Sequence, residues 1–317
     1  MLVWIIFLVA IFIFLALDLG VFNKNPHVIS TKEASMWTGI WVTLSFAFSG
    51  VVFWLYQNNY VANPDQLKPI GASLKFLSGY LIELSLSIDN IFVIAIIFSS
   101  FNIPQKFQHR VLFWGILGAI VFRGLMIFFG VMVINKFSWT TYLFGAFLIF
   151  TAIKMLLTND EEEFNPRESF VYKTIGKLFP ITEEIKSQNF FLIINRKRYA
   201  TPLFVALMVI EVMDVVFAID SVPAILAITS DPFLVFSSNI FAILGLRSMY
   251  FFLANMLEKF QYLEYSLIAI LTFVGIKMLL THHYKFPEWV SLGFIAVALI
   301  VGILISLRTK TEEDLEE

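Results

Sequence analysis

The sequence predicts an all-α polytopic membrane protein. Of its 317 residues, 59% are hydrophobic, and the mean hydropathy is +0.82, which is more apolar than a soluble domain can bury. The apolar residues form separate runs of about 20, the length that a helix needs to cross the hydrocarbon core of a bilayer. The chain has no cysteine, which excludes disulfides and thiolate metal sites.

We predict about nine transmembrane helices. The first is expected to be retained rather than cleaved as a signal peptide, because no Lys or Arg precedes it and no small-residue cleavage site follows it. The predicted spans are 2–22, 36–57, 75–101, 109–133, 138–158, 201–228, 235–257, 262–281 and 286–307.

The positive charges predict how these spans are oriented. With the N-terminus outside and the C-terminus in the cytoplasm, most Lys and Arg residues between the spans fall on the cytoplasmic side, as the positive-inside rule requires. The chain then divides into two peripheral helices (1–60), a first repeat (61–158), a cytoplasmic loop (159–200), a second repeat (201–283), and a last helix with an acidic cytoplasmic tail (284–317).

Matching segments indicate an internal repeat. "AIKMLLT" recurs as "GIKMLLT", and upstream "ELSLSIDNIF" at 83–92 aligns with "DVVFAIDSVP" at 214–223. Between these anchors, "VFRGLMIFF" and "GLRSMYFFL" set Arg123 against Arg247. Each unit has three spans, so spans 3–5 and 6–8 are expected to cross the membrane in opposite directions. Two such inverted three-helix repeats are typical of secondary transporters with a site at the midplane.

Five acidic residues lie inside apolar spans: Glu83, Asp89, Glu211, Asp214 and Asp220. An ionised Asp at the centre of a membrane helix costs about 2.5–3.5 kcal/mol on insertion scales. A whole protein is typically stable by only about 5–15 kcal/mol. The acids must therefore be protonated, paired with a basic residue, or neutralised by a bound cation.

The spacing of these acids separates some of them on a straight helix. Glu211 and Asp214 share one face, but Asp89 lies six residues after Glu83, about 9 Å along the axis and on another side. Either the helix unwinds near "SID" or the acids form separate layers. Pro223 favours unwinding in span 6, because proline removes a backbone hydrogen-bond donor.

Four further residues are candidate supports or gates of this site: Asn90, Ser221, Arg123 and Arg247. The two uncharged residues each directly follow an intramembrane aspartate. Each arginine can pair with an acid in the empty state and release it when metal binds, or it can pair permanently as part of the structure. The sequence leaves both roles open.

A set of carboxylates with only oxygen ligands suits a hard divalent cation, namely Mn²⁺, Mg²⁺ or Ca²⁺. Carboxylates that lose protons when metal binds would couple transport to protons. The sequence has no nucleotide-binding motif, so ATP is not expected to drive transport through this chain. We therefore expect a secondary transporter and no enzyme activity.

The motifs "ELSLSIDN" and "EVMDVVFAIDSVPA" resemble the two signature motifs of the TerC family of integral membrane proteins, which includes Alx-type manganese exporters. The resemblance covers spans 3 to 8 and implies a multi-pass protein of the bacterial inner membrane. It implies export of Mn²⁺ from the cytoplasm, with protons as a candidate counter-ion. It also implies that the five intramembrane acids bind the metal.

Other functions stay open at this point. A Ca²⁺ or Mg²⁺ exchanger would use the same ligands, and a membrane platform would supply metal to exported proteins without net transport. An intramembrane aspartyl protease is disfavoured, because neither Asp-Asn nor Asp-Ser matches the Gly-x-Gly-Asp pattern of such enzymes. The expected partners are a divalent metal ion, protons and the lipid bilayer, with no nucleic acid.

Overall fold

The structure is a computed structural model that describes residues 2–17, 29–137, 139–157, 166–182, 185, 187–194, 196–253, 263–280, 284 and 286–316. The side chains at 17, 89, 135, 263 and 307–316 are outside that description, as are parts of the predicted loop at 159–200.

Helices dominate the described residues. In chain order the elements are α1 (Leu2–Leu17), α2 (Thr31–Gln57), α3 (Pro69–Ser100), α4 (Gln105–Lys136), α5 (Thr140–Leu157), a 3-10 turn (Pro166–Glu168), α6 (Phe170–Leu178), β1 (Phe191–Ile194), β2 (Lys197–Ala200), α7 (Pro202–Leu226), α8 (Pro232–Leu253), α9 (Leu263–Leu280) and α10 (Glu288–Glu316). The two strands form an antiparallel hairpin.

Among the described residues, seven helices are long and apolar enough to cross a membrane: α2, α3, α4, α5, α7, α8 and α10. α1 is a shorter apolar helix. The nine predicted spans fall on α1 to α5 and α7 to α10. A helical, polytopic membrane protein is therefore confirmed, whereas the count of nine spans stays a prediction.

α8 lies at the centre of the bundle. Nearly all of its side chains are buried, and it packs against α2, α3 and α4. α2, α5 and α10 bury little of their surface and turn large apolar side chains outward. Apolar residues on all sides of a helix are typical of a membrane span, so these helices form lipid-facing parts of the bundle.

The helices of the two predicted repeats pack in a reciprocal pattern. α3 contacts α8, α4 contacts α7, and α5 contacts α9. The same set of contacts results when α3 is exchanged with α7, α4 with α8 and α5 with α9. Counterpart helices also run antiparallel. Gly79 near the start of α3 lies against Ile225 at the end of α7, and Gln108 near the start of α4 accepts a hydrogen bond from Tyr250 near the end of α8.

Two glycines let α5 and α9 approach closely. A Cβ added to Gly145 would lie 3.0 Å from the backbone oxygen of Gly275, and a Cβ on Gly275 would lie 3.0 Å from the oxygen of Gly145. Small residues at a helix crossing allow this contact between backbones, which favours association within a membrane.

α3 and α7 are continuous helices, so neither the unwinding considered near "SID" in span 3 nor the unwinding favoured by Pro223 in span 6 occurs. α3 has neither Gly nor Pro between Gly79 and Ser100, and nothing in that stretch interrupts its backbone bonds. Pro223 does lie inside α7, but the helix ends at Leu226. The proline removes one donor close to the helix end and does not divide the helix. Of the two alternatives, separate layers of acids remain.

Polar contacts show which loops share an end of the bundle. Asp65, between α2 and α3, accepts hydrogen bonds from Thr229 and Ser230, between α7 and α8, at 3.1 and 3.0 Å. At the opposite end, Arg167 donates to the backbone oxygen of Ser100 at 3.0 Å. α6 and the hairpin therefore lie at the end of the bundle where α3 terminates and α7 begins.

Candidate metal site

A buried arginine connects four helices. Arg123 on α4 is only 1% exposed. It donates to both carboxylate oxygens of Asp214 on α7, at 2.7 and 3.2 Å, and it forms an ion pair with Glu83 on α3. It also donates to the Oδ1 atom of Asn239 on α8 at 3.2 Å. One guanidinium therefore holds α3, α7 and α8 to α4.

The charges of this cluster do not balance. Glu83 is fully buried, and its Oε2 atom has no hydrogen-bond partner in the described part of the chain. If Glu83 and Asp214 are both ionised, the single guanidinium of Arg123 leaves one negative charge uncompensated. An uncompensated charge is costly in a dry protein interior. The cluster therefore favours binding either a proton or a second cation.

Glu211 lies one helical turn before Asp214 and occupies space that a glycine provides. Its carboxyl group fills the position that a Cβ atom would take at Gly118 on α4. Glu211 is buried, and its Oε2 atom has no hydrogen-bond partner among the described residues. This orphaned oxygen is a second acceptor on α7 available to a proton or a cation.

Asp220 belongs to a different layer. It accepts a hydrogen bond from Thr151 on α5 at 3.2 Å, and it lies six residues beyond Asp214 on the continuous α7, about 9 Å along the helix axis. Ser221 beside it is buried, and its Oγ atom has no partner within the described residues. Asp89 is part of the α3 helix, but its side chain lies outside the described residues.

The predicted acids do not all meet. In the described part of the chain, no three acidic or histidine side chains converge closely enough to hold a metal ion. Arg123 pairs with Glu83 and Asp214, the Glu211 carboxyl group lies against Gly118 one helical turn before Asp214, and Asp220 accepts a hydrogen bond from Thr151. The chemistry of the donors still fits a hard cation, since every candidate ligand is an oxygen.

Arg247 has a contact that the sequence did not indicate. Its Nη1 atom lies 2.9 Å from the Nε2 atom of His109 on α4, one turn from the point where Gln108 meets Tyr250. Arg123 contacts acidic residues, and Arg247, its match in the sequence repeat, contacts an imidazole.

A small cavity adjoins the cluster. It lies between α3, α4, α7 and α8 and has a volume of about 30 Å³. Asn90 and Asp214 contribute polar atoms to its wall, which is otherwise mostly apolar. A cavity of roughly 10–15 Å³ already holds one water molecule, so this space is large enough for a small ion. Asn90 thus lies where its amide can face the same space as the Asp214 carboxylate.

Sequence reasoning did not identify Asn239, Gly118 or His109. An uncharged amide within an apolar span is a weak signal of a polar contact, and it would have pointed to Asn239. Gly118 carried no comparable signal, because the need for a glycine arises from the Glu211 side chain on another helix.

The fold and this cluster define a polytopic helical membrane protein with paired acidic and basic residues inside the bilayer. Comparison with known families makes the assignment specific. The chain belongs to the TerC family: the family model "Integral membrane protein TerC family" matches residues 70–314.

Close relatives occur in several bacteria. STKORF319, an uncharacterized membrane protein of Myxococcus xanthus, is 46% identical over 304 residues, which cover 96% of this chain and 91% of the relative. Alx of Escherichia coli (strain K12), named as a proposed membrane-bound redox modulator, is 44% identical over 317 residues, which cover 99% of this chain and 96% of the relative. No solved structure matches the chain.

Proposed function

We propose that this protein is a secondary transporter that exports a divalent metal, Mn²⁺, from the bacterial cytoplasm across the inner membrane. The observation that carries the proposal is the buried cluster of Glu83, Asp214 and Arg123, which holds more acidic than basic groups inside the membrane. Intramembrane ionisable residues mark ion pathways in membrane proteins. Glu211 adds a buried carboxylate on the same helix as Asp214.

Arg123 is suited to act as a built-in cation of the empty site. Its guanidinium pairs with Glu83 and Asp214 while no metal is bound and offsets one of their two negative charges. Arrival of Mn²⁺ would compete for the same carboxylate oxygens, and Asn239 would keep a hydrogen-bond acceptor for the displaced guanidinium. The negative charge that Arg123 leaves uncompensated offsets part of the charge of the incoming ion, which lowers the cost of burying that ion.

The helix packing supports alternating access. Counterpart helices of the two units run antiparallel and exchange contacts reciprocally, as two inverted repeats would. In transporters of this architecture, one unit rocks against the other around a site at the midplane. Arg123, Glu83 and Asp214 join the two units, so the proposed metal site lies where such a motion would act.

Protons are the proposed counter-ion. Carboxylates must lose protons to bind a metal, so metal entry releases protons and metal exit takes them up. The proposed metal ligands lie in at least two layers along the pathway. They are Glu83, Asp89, Glu211, Asp214 and Asp220. Asn90, Ser221 and Arg247 are proposed to support or gate these layers.

Two alternatives use the same residues. A Ca²⁺ or Mg²⁺ exchanger differs only in the transported ion, since all three are hard cations that favour oxygen ligands. A platform that supplies metal to exported proteins would bind Mn²⁺ without net flux. The redox role in the name of the Alx relatives cannot proceed through thiols in this chain, which has no cysteine.

A flux assay tests the proposal. In proteoliposomes with an imposed proton gradient, the wild-type protein is expected to move Mn²⁺, and Glu83→Gln with Asp214→Asn should reduce the rate at least tenfold. Glu168→Gln, an exposed acid outside the spans, is the matched control and should transport normally. Competition by Ca²⁺ and Mg²⁺ identifies the preferred ion. Normal Mn²⁺ flux in the double variant would refute the site, and metal binding without flux would favour the platform.

A further inference from the structure

The segment between α5 and α7 exposes an unusual set of side chains. Phe170 is 83% exposed, Ile193 is 75% exposed and Leu178 is 69% exposed. Large apolar side chains exposed to this degree outside membrane helices are candidates for an interaction surface where they lie close to one another. We call the following residues the interface patch: Phe170, Leu178, Ile193, Arg196, Lys197 and Arg198.

Both ends of this segment are attached at one membrane boundary. Arg167 binds the backbone oxygen of Ser100, where α3 ends. At the other end, β2 finishes at Ala200 and α7 begins at Pro202. α7 has 25 residues, about 38 Å of helix, which exceeds a hydrocarbon core of about 30 Å. The base of the hairpin therefore lies at headgroup level.

The hairpin cannot extend far from that level. Each strand has four residues, about 13 Å in length, so the tip reaches the headgroups when the hairpin lies along the membrane surface. Ile193 pairs across the hairpin with Arg198, and Ile194 with Lys197. Apolar and basic side chains are thus direct neighbours along the strands.

α6 also combines exposed apolar side chains with exposed basic ones. Ile175 is buried against the bundle, whereas Phe170, Lys173, Lys177 and Leu178 are exposed. A short helix with one packed side and an outer side of apolar and basic residues is typical of segments that lie in a membrane interface. Basic side chains there are attracted to anionic lipid headgroups within a Debye length of the surface.

We propose that the interface patch docks on anionic phospholipids of the leaflet that adjoins it. Ile193, Phe170 and Leu178 enter the boundary between headgroups and acyl chains. Arg196, Lys197 and Arg198 bind lipid phosphates. The charge and the position of the patch favour a lipid surface, and occupation by a protein partner is an alternative outcome of the test.

Site-directed spin labelling of the full chain tests this proposal, because the natural protein has no cysteine. Ile193→Cys and Phe170→Cys are labelled in nanodiscs of phosphatidylcholine alone or with added phosphatidylglycerol. The ratio of collision with oxygen to collision with a water-soluble nickel chelate reports depth. Gln188→Cys, exposed in the same segment but outside the patch, is the control position.

Docking predicts that the ratio at Ile193→Cys rises at least twofold in the anionic discs and stays unchanged at Gln188→Cys. The rise should disappear when Arg196, Lys197 and Arg198 are all changed to Gln, which affects only exposed side chains. A water-like ratio in both lipids would overturn the proposal and leave the patch to a protein partner. A rise that is independent of lipid charge or of the three basic residues would also overturn it.

Discussion

Few arginines are as deeply buried as Arg123. Its burial is possible because three hydrogen-bond acceptors from three other helices surround the guanidinium. Asp214 binds it through two parallel hydrogen bonds, the geometry in which a guanidinium binds a carboxylate most strongly. Glu83 and Asn239 complete the contacts. A lysine could not reproduce this planar arrangement, so the identity of residue 123 matters as well as its charge.

Removal of Arg123 should destabilise the protein strongly, because it leaves two carboxylates unpaired. We expect Arg123→Gln to lower the free energy of unfolding by about 3–5 kcal/mol, as for other broken buried pairs. Combining it with Asp214→Asn should cost less than the sum of the two single changes. Thermal unfolding in detergent measures all three variants, with the exposed Lys106→Gln as control. Strict additivity would contradict a direct interaction.

A methyl group at position 118 is predicted to displace the Glu211 carboxyl group. Gly118→Ala places its Cβ on the Glu211 carboxyl group, and we expect a loss of about 1–3 kcal/mol from overpacking. Gly115→Ala on the same helix is the matched control, since its Cβ would meet only side chains at 3.8 Å or more. The control should lie within about 1 kcal/mol of wild type. Equal unfolding temperatures would show that Glu211 is not held at Gly118.

At the scale of elements, α8 is organised by an aspartate at its start. Asp231 is fully buried and accepts hydrogen bonds from the backbone N–H groups of Phe233 and Leu234 at 3.0 and 3.3 Å. Tyr56 at the end of α2 donates to its other oxygen at 2.7 Å. The residue caps the central helix and fastens it to a peripheral one, which helps to explain why α8 keeps its position inside the bundle.

Stability should depend on the ionisation of Asp231. Burial raises the pKa of this carboxyl group above its ordinary value, and the hydrogen bonds from Tyr56 and the backbone only partly oppose that. The folded state therefore holds the proton more tightly than the unfolded state. The resulting stabilisation is full below about pH 4, the ordinary Asp value, and is lost as the pH rises through the raised pKa.

Comparison with Asp231→Asn, which cannot titrate, measures this effect. The unfolding temperature of the wild type should fall relative to the variant as the pH rises over that window. Tyr56→Phe should enlarge the fall, because it removes a hydrogen bond that favours the ionised form. A difference between wild type and Asp231→Asn that stays constant with pH would contradict the prediction.

For the whole molecule, contacts between loops define two ends of the bundle. The hydrogen bonds from Thr229 and Ser230 to Asp65 set the α2–α3 and α7–α8 connections at one end. The α6 and hairpin segment lies at the other end. Lys and Arg residues between the predicted spans are concentrated at the second end, and the positive-inside rule predicts that this end is cytoplasmic.

Thiol labelling in whole cells tests that orientation. Tyr60→Cys, exposed after α2, should react with a membrane-impermeant maleimide in intact cells. Gln188→Cys should react only after the cells are permeabilised. The parent chain has no cysteine and provides the background. Labelling of Gln188→Cys in intact cells would reverse the predicted topology.

Hydropathy and charge alone determined the membrane class, the positions of the long helices and the five intramembrane acids. These are local properties, since the bilayer selects about 20 apolar residues wherever they occur and penalises each charge on its own helix. The TerC assignment likewise depends on motifs within continuous stretches.

Only the tertiary structure decided which charges meet. Arg123 and Asp214 are 91 residues apart in sequence, and their contact depends on how α4 packs against α7 through residues such as Gly118. The tertiary structure also decided that α3 and α7 are continuous. The sequence allowed either a break in the helix or acids in separate layers, and because the backbone is unbroken, the acids lie in separate layers. Packing between distant helices has no signature within either helix. The acids and the pairing of Arg123 with an acid were therefore predictable, whereas the particular partners of Arg123 and the roles of Asn239 and Gly118 were decided only in the folded bundle.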